Sequence, residues 1–277
     1  MTHPPKKLTI FLIDGEPTGA KEVEVGNWSG MACIIPRNRL DIVSVRDELQ
    51  TQCVYFLVGA DDPMTVYIGE AEDFSKRIKE HHRNKDFWNM AIAFFSKDTN
   101  LTKSHVKYLE AKFIRECKIA NRVALENGNE AGGAKLPEAD EHEMNEFADR
   151  CKMVLATLGY TFLEKAEKQN KGLPLICRFK GHVAHGVYTD EGLIVLAGSE
   201  LAKNFSKSID ERAKKWRIKL AEDITEQDGE ILRLKKDVLF GSPSAASGFV
   251  LARSSNGWTE WRDMNGKTLH EIKRKDV

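Results

Sequence analysis

The chain has 277 residues, enough for two ordinary domains, and its 41% hydrophobic and 30% charged residues are typical of a globular protein. Its 42 basic and 42 acidic residues give zero net charge, which argues against a protein that coats nucleic acid through bulk electrostatics. No apolar run reaches the length of a membrane span, and the N-terminal residues lack the form of a signal peptide. We therefore expect a soluble, cytoplasmic protein that does not contact membranes.

The cysteines are odd in number and scattered along the chain, and none of them forms a Cys-x-x-Cys pair. This pattern indicates neither a zinc module nor a disulfide framework. We expect buried free thiols at all five positions, which are Cys33, Cys53, Cys117, Cys151 and Cys177.

The first 50 residues show the alternation of short strands. Residues 8–13, the charged stretch around Val23 and Val25, and residues 31–35 each predict a strand. Residues 40–49 then read as a short amphipathic helix. We interpret residues 1–50 as an N-terminal α/β cap on the module that follows.

A predicted β-hairpin opens that module. Residues 53–58 and 65–70 are apolar and β-branched, and a polar turn containing Pro63 lies between them. Each strand carries one tyrosine, Tyr55 in the first and Tyr67 in the second.

Two predicted helices follow the hairpin, with a strand between them. Residues 73–82 form the first helix, in which Arg77 and His81 stand four residues apart on one face. The dense apolar run at residues 87–95 predicts a central strand of the same sheet.

The second helix, at about residues 102–118, carries Glu110 in an unusual place. On a helical wheel Glu110 falls inside the apolar stripe formed by Val106, Leu109, Phe113, Ile114 and Cys117. A buried carboxylate needs a cation, because burial without one is costly. That cation is either a bound metal such as Mg²⁺, which takes few protein carboxylates, or a buried Arg or Lys in a structural ion pair.

These residues in this order resemble the signature of the GIY-YIG nucleases. The first strand of the signature corresponds to Cys53-Val54-Tyr55, with Cys53 where the family has glycine, and Tyr67-Ile68-Gly69 matches the second. The resemblance implies an α/β fold of the α+β type, with a small central antiparallel sheet flanked by helices, over residues 51–162. It also implies a site formed by the remaining signature residues together with the two tyrosines, namely Tyr55, Tyr67, Arg77, His81 and Glu110.

The resemblance further implies a Mg²⁺-dependent endonuclease, a phosphodiesterase that hydrolyses DNA, with RNA as an alternative substrate and Mn²⁺ as a substitute metal. Glu110 would bind the metal, Arg77 would stabilise the transition state, and His81 would assist in acid/base chemistry or position a phosphate. One tyrosine would help to activate the attacking water and the other would orient water or phosphate. An asparagine often follows the glutamate helix in the family, and Asn121 and Asn127 both qualify.

A polar linker at residues 164–172 separates this module from a mixed α+β region at residues 173–277. That region includes a hairpin near residues 186–196, a charged helix at residues 208–222, a helix capped by Ser242, and two Asn-Gly turns near Trp258 and Trp261. It resembles an uncharacterised C-terminal domain often fused behind GIY-YIG modules. We predict that it selects substrate or docks a protein partner.

Two alternatives to an enzyme remain open at the sequence level. One is a catalytically inactive nucleic-acid-binding module on the same fold, and the other is a protein-interaction module. Within the C-terminal region, Trp258 and Trp261 form either a stacking surface for nucleic acid or part of the core. His182 and His185 have the spacing of a metal pair but no companion ligands.

Overall fold

The computed structural model describes residues 5–60, 64–98, 100–127, 132–164, 172–209, 211–228 and 231–274. The predicted hairpin turn at residues 61–63 and most of the predicted linker, residues 165–171, lie outside these ranges. The chain divides into two compact units, residues 1–165 and residues 166–277. None of the described helices is both long and apolar enough to cross a bilayer.

The N-terminal unit is built on a seven-stranded sheet, whose strand order is β1-β2-β3-β6-β4-β5-β7. Its neighbouring strands are antiparallel except for β5 and β7. The predicted cap therefore extends the same sheet rather than forming a layer of its own. The strands are β1 (Leu8–Leu12), β2 (Lys21–Val25), β3 (Gly30–Pro36), β4 (Cys53–Val58), β5 (Thr65–Ala71), β6 (Met90–Ser96) and β7 (Ala124–Leu125).

Three helices cover the two faces of this sheet: α1 (Phe74–Asn84), α2 (Lys103–Ala120) and α3 (Glu138–Thr157). The apolar residues of α2 and α3 pack with one face of β4 and β5, which includes Val66 and Ile68. Phe74 and Ile78 of α1 pack with the opposite face, which includes Tyr55. The α+β prediction of a central sheet with flanking helices is confirmed.

The helix predicted at residues 40–49 is wrong. Three short 3₁₀ turns occupy this region, at Arg37–Arg39, Ile42–Ser44 and Asp47–Gln50. Ile42 and Val43 are buried and Val45 is exposed, so the run is amphipathic as expected. β-Branched side chains at these three positions disfavour a continuous α-helix, and short turns bury the apolar residues without one.

The C-terminal unit contains two antiparallel sheets and four helices among its described residues. The larger sheet has the order β14-β10-β9-β8-β15, and the smaller has the order β11-β13-β12. The elements are β8 (Leu173–Phe179), β9 (His182–Thr189), β10 (Gly192–Val195), β11 (Glu200–Ala202), α4 (Glu211–Ile224), β12 (Thr225–Asp228), β13 (Ile231–Leu234), β14 (Val238–Phe240), α5 (Pro243–Leu251), α6 (Gly257–Glu260), β15 (Trp261–Arg262) and α7 (Leu269–Lys273).

Two local features of this unit differ from the sequence prediction. Asn256 does not form a hairpin turn, because its side chain accepts a hydrogen bond from the N–H of Trp258 and caps α6. His182 and His185 lie in β9 rather than in a loop. Residues three apart in a strand point to opposite faces of the sheet, so these two histidines cannot share a metal.

The two tail tryptophans do not form an open stacking surface. Trp261 is buried in the core of the unit, and its indole N–H donates to the carbonyl oxygen of Pro243 at 3.1 Å. Trp258 is covered, because the guanidinium of Arg274 lies 3.6 Å from its ring centre and the Tyr188 ring packs against it. Any stacking surface in this unit must therefore lie elsewhere.

Candidate functional site

The helix α1 carries Arg77 and His81 toward the sheet. Asp73 caps its first turn by accepting a hydrogen bond from the backbone N–H of Lys76, so the helix begins directly after β5. Phe74 and Ile78 are buried against the sheet. Arg77 and His81, three positions after each of them, therefore point toward the same face. This arrangement brings Arg77 and His81 over the hairpin, as the sequence predicted.

A chain of polar contacts links Tyr55 to both α1 side chains. The phenolic oxygen of Tyr55 lies 2.7 Å from Nε2 of His81 and accepts a hydrogen bond from Nε of Arg77 at 3.3 Å. Nη1 of Arg77 donates to Oε2 of Glu80 at 2.8 Å. Since Arg77 donates to the Tyr55 oxygen, the Tyr55 hydroxyl proton is available to the neutral His81 ring.

Tyr67 lies on the same face of the sheet as Tyr55 but is only half-buried. Its ring centre is 6.2 Å from that of Tyr55 and 5.1 Å from that of His81. The ammonium group of Lys85 lies 4.7 Å from the centre of the Tyr67 ring. A positive charge over the ring adds to the cationic character that Arg77 gives this surface.

Gly69 makes room for the tyrosine pair. In the β4–β5 register Gly69 stands opposite Tyr55, whose ring crosses the glycine. A Cβ atom at this position would lie 2.5 Å from Cζ of Tyr55 and 2.9 Å from Cε1 of Tyr67. Those distances are too short for any side chain, so the glycine of Tyr67-Ile68-Gly69 is required by sterics.

We expect Gly69→Ala to destabilise the protein by about 2 kcal/mol, because a methyl group would displace both rings. Urea-induced unfolding measures this change. Gly132→Ala is the matched control in the same unit, because a Cβ atom there would meet no atom within 4 Å. Equal unfolding midpoints for the two variants would show that the rings do not need this space.

The outer edge of β5 is closed by three different groups in succession. The short strand β7 pairs with β5 only at Thr65 and Val66. At Ile68 the Asn127 side chain replaces a strand, because Oδ1 accepts from the Ile68 N–H at 2.9 Å and Nδ2 donates to the Ile68 carbonyl at 2.6 Å. At Glu70 the backbone N–H donates to the carboxylate of Glu110.

Of the two candidate asparagines, Asn127 thus hydrogen-bonds to the second hairpin strand. Asn121 ends α2 in a left-handed conformation, with φ of 51°, and its backbone N–H donates to the carbonyl of Cys117. Asparagine tolerates this conformation better than most residues, which gives Asn121 a structural explanation.

Glu110 reaches the edge of β5 from the face opposite the tyrosines. Burial raises the pKa of its carboxyl group to about 7, and the negative charge of Glu70 adds to this effect. The N–H of Glu70 and the charges of Arg77 and Lys107 oppose the rise but do not cancel it. The carboxylate is thus under-neutralised in the protein alone, which is the condition in which a bound cation has the largest effect.

His81 is almost completely buried, with 5% of its surface exposed. Burial and, to a smaller extent, the positive charges of Arg77 and Lys85 lower its pKa from 6.5 to about 4. The ring is therefore neutral at pH 7. A neutral, buried imidazole can position the Tyr55 hydroxyl, but it holds no proton that it could donate as an acid.

His81→Gln is expected to reduce the loss of stability between pH 6.5 and pH 4. Since the folded-state pKa lies below the unfolded value, His81 contributes stability above pH 6.5 that is lost as the pH falls toward 4, on the order of 2 kcal/mol. Urea unfolding at several pH values gives the slope. The exposed neighbour His82→Gln is the matched control, and equal slopes in the two variants would contradict the assignment.

The five residues predicted from the sequence thus divide by accessibility. Tyr55 has no exposed surface and His81 almost none, so neither can touch a macromolecular substrate in this structure. Arg77, with 43% of its side chain exposed, and the half-buried Tyr67 and Glu110 remain accessible. Burial also raises the pKa of Tyr55 well above its ordinary value, so its phenolate is scarcely populated at neutral pH.

The donor set suits a hard divalent cation with few protein ligands. Within the described residues no three or more His, Cys, Asp or Glu side chains cluster as a metal cage would require. Mg²⁺ does not require such a cage, because it keeps several waters and is often held by one or two carboxylates plus phosphate oxygens. The residues that would hold such an ion are Glu110 and its neighbour Glu70.

Sequence reasoning missed Glu70 and Lys85. Glu70 directly follows Tyr67-Ile68-Gly69, and its alternation with Ile68 places it on the Glu110 side of the strand. Lys85 follows His81 by four residues, the spacing of neighbours on one helix face. Both signals were present in the sequence, but each is too common to stand out alone.

Comparison with known proteins bears on the C-terminal unit. Residues 175–273 match a family described as a domain of unknown function, DUF4357. No curated protein and no solved structure matches the chain. The match falls in the region that resembles an uncharacterised C-terminal domain, whereas the nuclease resemblance of residues 51–162 stays a prediction.

Proposed function

We propose that the N-terminal unit is a Mg²⁺-dependent endonuclease that hydrolyses phosphodiester bonds in DNA. The observation that carries the proposal is the half-buried, under-neutralised carboxylate of Glu110 at the edge of β5, close enough to Arg77 for that charge to affect its pKa. A cation site and a fixed guanidinium beside one another are what phosphodiester hydrolysis requires. The order of residues that resembles the nuclease signature supports the same assignment.

In this proposal Glu110 would hold the metal, with the carboxylate of Glu70 beside it. When bound, Mg²⁺ supplies Lewis-acid stabilisation of the leaving oxygen. Arg77 faces the phosphate with its exposed guanidinium and offsets the charge that develops there, while its Nε stays anchored on Tyr55.

Tyr67 is the better candidate for orienting the attacking water in an in-line displacement. Its ring is partly exposed and lies beside the Lys85 ammonium group, so its hydroxyl can accept a hydrogen bond from the attacking water. Tyr55 and His81 are buried beneath the accessible residues and act as positioning residues, because they hold Arg77 and the Tyr67 ring in place. Mn²⁺ would substitute for Mg²⁺, since both accept oxygen ligands.

The direct test is cleavage of supercoiled plasmid and of labelled DNA and RNA strands by the full chain in Mg²⁺, with EDTA as the blank. We expect nicked and linear products in Mg²⁺ or Mn²⁺ and none in EDTA. Parallel reactions with Glu110→Gln exclude a contaminating nuclease, because that variant would be purified in the same way. Equal product from the variant and the wild type would overturn the proposal.

A catalytically inactive module that binds nucleic acid is the second candidate. Cys53 favours it, because the nuclease signature has glycine there, and Cys53 is buried in this chain. This candidate predicts retention of DNA without cleavage under every divalent cation. The C-terminal unit would serve substrate selection in either case, or dock a protein partner if it retains no nucleic acid.

A further inference from the structure

The C-terminal unit contains a cleft of about 660 Å³ that no motif in the sequence indicated. Four separate segments form its walls: the turn between β8 and β9, the chain that leaves β11, the start of β13, and the end of α5 with the turn that follows it. The lining residues are Arg178, Phe179, Lys180, His182, Ala202, Lys203, Asn204, Phe205, Ser206, Ile231, Leu251 and Arg253.

The cleft is electropositive, although the whole chain has no net charge. Four of its lining residues are Lys or Arg and a fifth is His, whereas none of the lining residues is acidic. Glu260 pairs with Arg253 at 2.7 Å, so the charge of Arg253 is partly compensated, and Glu200 lies 3.4 Å from His182.

Arg178 and Lys180 are exposed, and neither forms an ion pair within the described part of the chain. Their charges are therefore available to a partner. Together with the local excess of positive charge, they favour an anionic ligand.

A buried guanidinium next to the cleft adds to its positive electrostatic potential. Arg217 is only 2% exposed, and it donates to the carbonyl oxygens of Phe249, at 2.5 Å, and of Ala202. No described carboxylate pairs with it, and its burial lowers its pKa to about 10. An arginine held by carbonyls instead of a carboxylate keeps its positive charge uncancelled, and Ala202 lies in the wall of the cleft.

Aromatic rings lie among these cations. Phe205 is 41% exposed, which is high for a phenylalanine, and its ring centre lies 6.0 Å from the Arg217 guanidinium. Phe179 lies in the opposite segment, with its ring centre 5.5 Å from that of His182. An exposed ring beside cations offers stacking to a planar base while the cations contact phosphates, and base faces are accessible in single strands but not in a duplex.

We propose that this cleft binds a single strand of nucleic acid, with Arg178 and Lys180 on its phosphates and Phe205 against a base. The site needs neither a metal nor Glu110, so it stands apart from the nuclease proposal. Lys180 supports the assignment of a binding role, because it occupies a left-handed conformation, with φ of 45°, that favours Asn or Gly.

Lys180→Asn is therefore a sharp test. With Gly181 it would give the Asn-Gly pair that a two-residue hairpin turn prefers, so the variant should fold at least as well as the wild type. Phe205→Leu removes the aromatic face but keeps an apolar side chain. Lys236→Asn, an exposed lysine outside the cleft, is the matched control.

The experiment measures fluorescence anisotropy of a labelled oligothymidylate with the full chain in EDTA, which prevents cleavage. We expect Lys180→Asn to weaken binding about fivefold and to reduce the salt slope by about 0.7, the value for one lost phosphate contact on a single strand. Phe205→Leu should weaken binding about tenfold, and Lys236→Asn should leave it unchanged.

Binding that is lost in Arg77→Lys but intact in the two cleft variants would overturn the proposal and locate the strand in the N-terminal unit. Absence of binding by the wild type would also overturn it. Equal competition by duplex DNA, with no effect of Phe205→Leu, would contradict recognition of a single strand. Equal competition by polyglutamate would assign the cleft to acidic peptides instead.

Discussion

Replacing Glu110 by glutamine is expected to lower kcat for DNA cleavage by about a hundredfold to a thousandfold, and at the same time to stabilise the metal-free protein above pH 7. The amide keeps the size of the side chain and can still accept a hydrogen bond from the N–H of Glu70. It removes the negative charge, which a bound metal requires and which destabilises the metal-free folded protein.

The stability effect follows from the raised pKa of Glu110. Below about pH 4.5 the carboxyl group is protonated in both the folded and the unfolded state, so the variant and the wild type should be equally stable. Between pH 4.5 and about 7 the folded protein binds the extra proton, and the wild type loses stability as the pH rises. The full difference of about 3 kcal/mol for a buried group falls to about 1 kcal/mol for this half-exposed side chain.

Urea unfolding is measured from pH 4 to pH 9, first in EDTA and then in excess Mg²⁺. The series in EDTA gives the effect of the Glu110 charge on stability, and the series in Mg²⁺ gives the effect of the metal. Mg²⁺ should stabilise the wild type and not the variant, because it binds only the folded state through the carboxylate. Glu143→Gln, at an exposed position of α3, is the control for removal of a charge. A variant that cleaves normally would remove Glu110 from the site, and identical pH profiles would contradict its burial.

Arg77→Lys is expected to reduce kcat about a hundredfold with a small change in KM. Lysine keeps the charge and cannot form the planar fork that contacts Tyr55 through Nε and a phosphate through its outer nitrogens. The lost contact with the buried Tyr55 hydroxyl should lower the free energy of unfolding by about 1 kcal/mol.

Single-turnover cleavage and urea unfolding of the same preparations separate the two effects. Arg83→Lys is the matched control, because it makes the same change at an exposed position of α1. If Arg77→Lys and Arg83→Lys cleave at the same rate, Arg77 contributes only to stability. Because lysine retains the positive charge, the pH profile of Glu110 should not move, which distinguishes loss of geometry from loss of charge.

The sequence alone determined the elements around the candidate site and the side chains that are proposed for it. The 3.6-residue period of apolar positions predicted α1 and α2, and the two β-branched runs predicted β4 and β5. The same period showed that Glu110 falls within an apolar stripe, and its half-burial and raised pKa follow from that position. Patterns of this kind are local, so they can be read without knowing the fold.

The tertiary structure decided which of these side chains are accessible. Tyr55 and Tyr67 are equivalent in the sequence, each one tyrosine in one strand, and they share a face of the sheet. The position of α1 buries the first and leaves the second half-exposed. Likewise, the two hydrogen bonds between the Asn127 side chain and Ile68 at the edge of β5 exist only once the chain is folded.

The cleft of the C-terminal unit could not be predicted from the sequence either, because it too depends on the tertiary structure. Its cations come from segments around Arg178, Lys203 and Arg253, which are separated by 24 and 49 residues along the chain. A balanced overall composition does not reveal such a cluster. Net charge counts every residue of the chain, whereas the local electrostatic potential depends on which charges lie close together in space. Chemistry carried by one helix or one strand is thus predictable from sequence, whereas accessibility and long-range charge clusters exist only once the chain is folded.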